Sequence, residues 1–346
     1  MNTVSHKNLR GALIGCGFFA YNHLHAWRQL PGVEIVALCD KDEQRLVDAA
    51  REFGVQAVYQ DARVMLAQEK LDFVDIATTV GSHRALVELA AGSGVPCICQ
   101  KPFAASMEDA RAMVAACESA GVTLMVHENF RWQSPMQAVR RVIDSGSIGS
   151  PFWGRLSFRS GFDVFKAQPY LAEGRRFIIE DLGIHILDIA RFLLGDARTL
   201  SASTQRVNPG IVGEDVATVL MEHVGGATSV VDCSYASPRA SELFPQTLIE
   251  IDGTDGSVRV DADYRLSIFR RDSGLVQSSC EPPLHPWAER PWFNIQDSVV
   301  NIQAHWMDCL RRGAEPQTSG RDNLRTLELV EAAYRSAASH QAIQFF

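Results

Sequence analysis

The sequence predicts an α/β protein in two parts: a doubly wound parallel sheet, then an α+β domain with a large, open, mainly antiparallel sheet. Three observations predict it. Residues 9–127 alternate short, continuous apolar runs with helical patterns, as parallel strands covered on both faces require. A tight turn, Gly15-Cys16-Gly17-Phe18-Phe19-Ala20, joins the first run to the first helix. Beyond about residue 128 the runs become alternating and β-branched, the texture of strands with one solvated face.

In the first part, strands are expected at 10–15, 33–39, 56–59, 72–78, 96–99 and 122–126, and helices at 18–30, 41–53, 61–68, 82–92 and 106–119. Gly54, Gly94 and Gly121 each follow a helical run and precede a strand, where C-terminal caps belong. In the second part, strands are expected at 153–160, 199–207, 216–223, 228–235, 247–252, 257–260 and 266–270, with hairpin signals at Gly225-Gly226 and Asp255-Gly256. A helix at 181–194 stops at Gly195, and helices at 295–312 and 321–338 follow. The division falls into a dinucleotide-binding domain, 1–127, and a substrate-binding and oligomerisation domain, 128–346. Glu281–Phe293 is rich in proline and aromatic residues, and reads either as a rigid connector or as an arm or lid.

The chain has 346 residues, enough for two well-filled cores, with the 46% apolar and 21% charged content of a globular protein. A net charge of −8, without a basic tract, argues against a nucleic-acid surface. The long uncharged stretch before Gly32 is broken by glycines, Asn22, His23 and His25, so no membrane span is expected. About ten residues precede the first strand, too few for a signal peptide, and a cytoplasmic location is expected. The eight cysteines contain no CxxC pair and read as buried, reduced thiols. Cys97 and Cys99 share a strand face, but no further ligand completes a metal site, so no metal is expected.

The glycine turn carries the first functional signal. Gly15 permits the sharp turn, Gly17 lets backbone approach a pyrophosphate, and Ala20 lets the helix pack on the strand. Free N–H groups at the helix start, around Phe18 and Phe19, attract phosphate. Asp40 ends the second strand twenty residues past Ala20, where a carboxylate accepts hydrogen bonds from ribose hydroxyls. This is the pattern of a Rossmann domain. Asp40 favours NAD over NADP, since its charge repels a 2′-phosphate, although Lys41 and Arg45 lie near.

Two further groups suit chemistry. Lys101 follows the fifth strand, and the crevice of an open parallel sheet lies beyond the carboxyl ends of its strands. An ammonium there can bond a substrate hydroxyl and stabilise charge as its proton leaves. Asp181, His185 and Asp188 share one stripe of the 181–194 helix, beside an apolar stripe of Leu182, Ile186, Ile189 and Leu193. His185 is a candidate general base; Asp181 could orient it or hold the substrate, and Asp188 could fix its other ring nitrogen.

With these residues the chain resembles the oxidoreductase family that includes glucose–fructose oxidoreductase and inositol 2-dehydrogenase (Gfo/Idh/MocA). The matching features are the Gly15/Gly17/Ala20 loop, Gln100-Lys101-Pro102 in place of a Glu-Lys-Pro element, and Asp181-x-x-x-His185. Ile76-Ala77-Thr78-Thr79 with His83 resembles the family's loop after the fourth strand, and Asn129-Phe130-Arg131 its entry into the second domain. The resemblance implies hydride transfer from a carbinol carbon of a sugar or polyol to NAD, with Lys101, Asp181 and His185 handling the proton. It implies cofactor contacts from Thr78, His83, Gln100 and Lys101, and substrate contacts from Lys101, Asn129, Arg131, Asp181 and His185. Trp153 through Arg176, rich in aromatic residues and arginine, is a further candidate for substrate contacts.

Two departures stand out: Gln100 removes a negative charge beside Lys101, and Thr79-Val80 replaces prolines that would stiffen the loop. The run Cys99–Ala104 bears a slight resemblance to bacterial D-apiose dehydrogenases, which oxidise a branched pentose to its lactone. The alternatives are a regulator that binds the cofactor without chemistry, which would typically lack the lysine or histidine, and an NAD-dependent glycosidase. Val216, Thr218 and Leu220 on one strand face, and Ala217, Val219 and Met221 on the other, leave more apolar surface than the helices can cover. A homodimer or homotetramer built on that sheet is therefore expected.

Overall fold

Six short strands, β1 (Leu9–Ile14), β2 (Val33–Cys39), β3 (Ala57–Tyr59), β4 (Phe73–Ile76), β5 (Cys97–Gln100) and β6 (Leu124–His127), form a sheet in the order β3-β2-β1-β4-β5-β6, every pair parallel. The computed structural model describes residues 8–166 and 168–345. Between the strands lie α1 (Ala20–Gln29), α2 (Glu43–Phe53), α3 (Ala62–Gln68), α4 (His83–Gly92) and α5 (Met107–Ala120). Local chemistry sets their ends. Asp42 caps α2 by accepting from the Arg45 N–H, Ser106 caps α5 by accepting from the Asp109 N–H, and Gly54 and Gly121 close the two helices in the left-handed conformation. Leu13 and Leu38 meet Ala20, Leu24 and Leu46 in the core between sheet and helices.

The strand order reverses between β1 and β4, so the loops after them flank the crevice in which doubly wound sheets bind ligands. The first compact unit is residues 1–128 together with 299–324. The sequence carries no local sign of that return. Trp306 is fully buried in this unit, with its ring edge-on to Phe73.

The second unit comprises residues 129–298 and 325–346. Its sheet runs β14-β13-β12-β11-β7-β10-β9-β8-β15, built from β7 (Pro151–Arg159), β8 (Ala197–Gln205), β9 (Val216–His223), β10 (Thr228–Ser234), β11 (Leu248–Gly253), β12 (Gly256–Asp261), β13 (Arg265–Arg270), β14 (Gly274–Ser279) and β15 (Ile343–Gln344). Neighbours are antiparallel except β7 and β10, which pair in parallel. The further α-helices among the described residues are α6 (Ser134–Asp144), α7 (Ile184–Leu194), α8 (Phe293–Arg312) and α9 (Gly320–Ser339), with the unit boundary passing through the last two. α7 packs on β7 and β10.

On β9, Ala217, Val219 and Met221 are buried, whereas Thr218, Leu220 and Glu222 face outward. The proline-rich stretch forms an irregular connector: His285 bonds Asp297 at 2.9 Å, and Trp292 meets the edges of Phe162 and Phe244. No helix of the described residues is long and apolar enough to cross a membrane. All eight cysteines are buried and free.

Candidate active site

The glycine turn after β1 is shaped for a close ligand. Gly15 has φ +97°, and a Cβ there would stand 2.8 Å from the Ala77 carbonyl and the Thr78 methyl, so any side chain would collide with the loop after β4. At Gly17 a Cβ would meet nothing within 4 Å: the turn is open on the side a pyrophosphate must approach. Ala20 is fully buried beneath the start of α1, and Phe18 is exposed. Phe19 is half-buried with its ring edge-on to His23 and His127.

Asp40, at the end of β2, is held against the glycine turn. Its Oδ2 accepts the Cys16 N–H at 2.6 Å and its Oδ1 accepts the Asp42 N–H at 2.8 Å. Each oxygen keeps a lone pair for a ribose hydroxyl, while the two backbone bonds aim the carboxylate. Burial, with the Asp40 charge second, pushes the Cys16 thiol up to about 12, so the cysteine inside the turn stays neutral. An open glycine cradle with an anchored carboxylate fits a dinucleotide with free ribose hydroxyls.

The loops after β4 and β5 are tied together by His83. Its ring is fully buried, with Nε2 3.1 Å from the Thr78 carbonyl and Nδ1 3.1 and 3.2 Å from the carbonyls of Pro102 and Phe103. His83 therefore staples the two loops together through both ring nitrogens. Burial lowers its pKa despite those carbonyls. Ser82 Oγ donates to Thr78 Oγ1 at 2.8 Å or to the Thr79 carbonyl at 2.9 Å, which supplies the stiffness that proline would have given. Thr78 and Lys101 lie half-buried at the carboxyl ends of β4 and β5. Gln100 points inward: its Oε1 accepts the Lys101 N–H at 2.6 Å and its Nε2 lies 3.1 Å from His23 Nε2.

In the second unit, the helix expected at 181–194 starts earlier and differently. Ile179–Gly183 is a π-helical turn, with the Ile184 N–H donating to the Ile179 carbonyl, and α7 follows it. Glu214 holds this turn. One carboxylate oxygen accepts the N–H groups of Phe177 and Ile179 at 3.2 and 3.3 Å and the Tyr334 hydroxyl at 2.7 Å. Asp181 lies half-buried within the π-turn. His185 lies in the first turn of α7, 3% exposed, its ring stacked on Phe130 at 3.9 Å.

Asp188 does not serve the His185 ring as expected. It is fully buried and accepts from Arg131 Nε at 2.7 Å, Arg131 Nη2 at 2.5 Å and Thr326 Oγ1 at 2.8 Å. A guanidinium offers this carboxylate two parallel charge-assisted bonds, more than an imidazole can. The same pairing holds Arg131, 4% exposed, in an internal ion pair. Asn129, also buried, directs its amide nitrogen to Ser298 Oγ at 2.6 Å.

Between Trp153 and Arg176, Phe158 is core, Phe162 stacks on Phe244, and Arg155 and Arg159 pair with Asp232. Among the described residues no three His, Cys, Asp or Glu side chains gather as a metal site. The groups missed by sequence reasoning are His23, Asp75 and Glu214. Asp75, a charge inside the apolar run Phe73–Ile76, is the one with a visible signal.

The model of an oxidoreductase family with an NAD-binding Rossmann fold matches residues 9–128, and that of the Gfo/Idh/MocA C-terminal domain matches residues 136–259. The chain belongs to the Gfo/Idh/MocA oxidoreductase family. Its cofactor is NAD, in keeping with the open Gly17 cradle and Asp40. Within the family, the chain is 64% identical to a D-apiose dehydrogenase of Paraburkholderia graminis, over 99% of this chain and 91% of that protein. It is 61% identical to a D-apiose dehydrogenase of Rhizobium rhizogenes, over 97% of each. The solved structure of an oxidoreductase from Agrobacterium radiobacter in complex with NAD+, L-tartaric acid and magnesium superimposes with a TM-score of 0.96, at 60% identity and 98% coverage of both chains.

Proposed function

We propose that the substrate of this NAD-dependent sugar dehydrogenase is D-apiose, oxidised at its ring carbinol to the lactone. The observation that carries this reading is the 64% identity, over 99% of the chain, to a D-apiose dehydrogenase. When bound, NAD+ supplies the hydride acceptor for the carbinol carbon. In this reading Lys101 donates a hydrogen bond to the reacting oxygen and stabilises the negative charge that grows as the proton leaves. His185 takes that proton on a ring nitrogen, and Asp181 accepts a hydrogen bond from a second substrate hydroxyl. The family resemblance supports these three assignments. Cofactor contacts are assigned to Gly15, Gly17, Phe18, Phe19, Ala20, Asp40 and Thr78.

The test is NADH formation from D-apiose, D-xylose, myo-inositol and levoglucosan under identical conditions. D-apiose is expected to lead in kcat/KM by about tenfold or more, since a site that bonds particular hydroxyls rejects sugars that misplace them. A preference for another sugar overturns the substrate assignment, and the absence of net NADH from every sugar overturns the dehydrogenase reading.

We further place the enzyme in the cytoplasm as a homodimer or homotetramer. The eight buried free thiols support the first. The outward face of β9, with Leu220 46% exposed, supports the second.

A further inference from the structure

A line of buried polar groups inside the first unit leads from β4 to Lys101. Asp75 is fully buried; its Oδ2 accepts from Trp27 Nε1 at 2.7 Å and lies 2.8 Å from His23 Nδ1. His23, also fully buried, has its Nε2 3.1 Å from Gln100 Nε2, and Gln100 Oε1 accepts the Lys101 N–H at 2.6 Å.

The direction of every bond follows from one end. A backbone N–H only donates, so the end of the Gln100 amide facing Lys101 is its carbonyl. The NH2 end therefore faces His23, and because it too only donates, His23 Nε2 must carry a lone pair. The ring proton is then on Nδ1, where Asp75 accepts it. Trp27, another obligate donor, confirms Asp75 as the acceptor. Two other titratable groups lie beside this chain of bonds. His127 from β6 stacks on the His23 ring at 4.1 Å, and burial keeps the Cys99 thiol, beside Asp75, protonated.

We propose that His23, held by Asp75 as the neutral Nδ1–H tautomer, is a positioning residue: it locks the Gln100 amide in one orientation and so fixes the backbone that carries Lys101. The proposal rests on the assignment of Lys101 made above. It also explains why a neutral amide is accommodated at position 100. A carboxylate there would accept the Lys101 N–H equally well, but its other oxygen would meet the bare nitrogen of His23, and the network would have to take up a proton.

Two measurements test this. In nitrogen NMR of the NAD-bound protein with labelled histidine, His23 is expected to show one protonated and one bare ring nitrogen, its signals assigned by their loss in His23→Gln. In Gln100→Glu both nitrogens should be protonated. A protonated Nε2 in the wild type, or a spectrum unchanged by Gln100→Glu, overturns the proposal.

In kinetics, His23→Leu should lower kcat by about ten- to a hundredfold through misplacement of Lys101, with KM for NAD+ changed by less than about threefold. His23→Gln, which keeps one donor and one acceptor, should recover most of that loss. Equal losses in both variants, or wild-type turnover in both while Lys101→Ala is inactive, overturn the positioning role. If Lys101→Ala itself retains turnover, the assignment of Lys101 fails instead, and the kinetic part of the proposal fails with it.

Discussion

Replacing Asp188 with asparagine separates a structural carboxylate from a catalytic one. Asp188 is fully buried, accepts two bonds from Arg131 and one from Thr326, and has Arg191 Nη1 at 3.9 Å. Arg131 is itself 4% exposed, with its guanidinium over the Phe192 ring at 5.4 Å, so it cannot turn to water when its partner becomes neutral. Removing one member of such a pair leaves a buried, uncompensated charge and costs about 3–5 kcal/mol. At roughly 2–4 °C per kcal/mol for a unit of this size, Asp188→Asn should lower the Tm by about 10 °C. Calorimetry reads that shift, and kcat measured well below the transition should stay within about threefold of wild type, because no atom of the proposed chemistry has moved.

The pH dependence of the gap provides a second reading. Burial pushes the Asp188 carboxyl up, but Arg131, by charge and by hydrogen bonding, outweighs it and holds the group below the ordinary carboxylate value. A carboxyl depressed by folding contributes stability that is fully present above its unfolded pKa of about 4 and is lost as pH falls through the folded value. The difference between wild type and Asp188→Asn should therefore shrink below about pH 4. An unchanged Tm with a loss of about a hundredfold in kcat would refute the reasoning, and would return Asp188 to the ring of His185.

Three other outcomes are expected. Asp40→Ser should narrow the preference for NAD+ over NADP+, measured as the ratio of kcat/KM values, by removing the charge that repels a 2′-phosphate; an unchanged ratio removes Asp40 from the ribose site. Gly15→Ala should abolish NAD binding, measured by calorimetric titration, and should also lower the Tm, because its Cβ would lie 2.8 Å from the Ala77 carbonyl at φ +97°. Light scattering at micromolar concentration should give a mass at least twice that of one 38.2 kDa chain, and Leu220→Glu should shift it downward if the outward face of β9 is the contact.

The first sheet is legible because each of its signals is local. Apolar runs, Asp42 and Ser106 at helix starts, the Gly15 turn and Asp40 at the end of β2 lie within a few residues of what they build. Legibility falls where distant residues decide. α6 is marked by Pro135 in its first turn and by Met136, Val139 and Val142 on one face, but the change of texture near residue 128 draws attention to strands. β14 is an exposed edge strand, so no burial pattern announces it. The parallel pairing of β7 with β10 is a matter of crossover, which alternation cannot express. The π-turn depends on Glu214, more than thirty residues further along the chain, which accepts the Phe177 and Ile179 N–H groups.

Asp181, His185 and Asp188 show the same division on a single helix. Periodicity puts the three on one stripe of a regular helix; the structure keeps His185 and Asp188 on α7 and puts Asp181 in the π-turn before it. Which partner a buried carboxylate takes is a competition. An arginine 57 residues earlier offers Asp188 a forked pair of charge-assisted bonds, against one from a neighbouring imidazole. Asp75 follows the same logic with a different result. Its Oδ2 goes to His23 and Trp27, so there the histidine does take the carboxylate. The acid that orients His23 is therefore found not by helical spacing but by its position in an apolar strand, where only a buried donor could justify a charge.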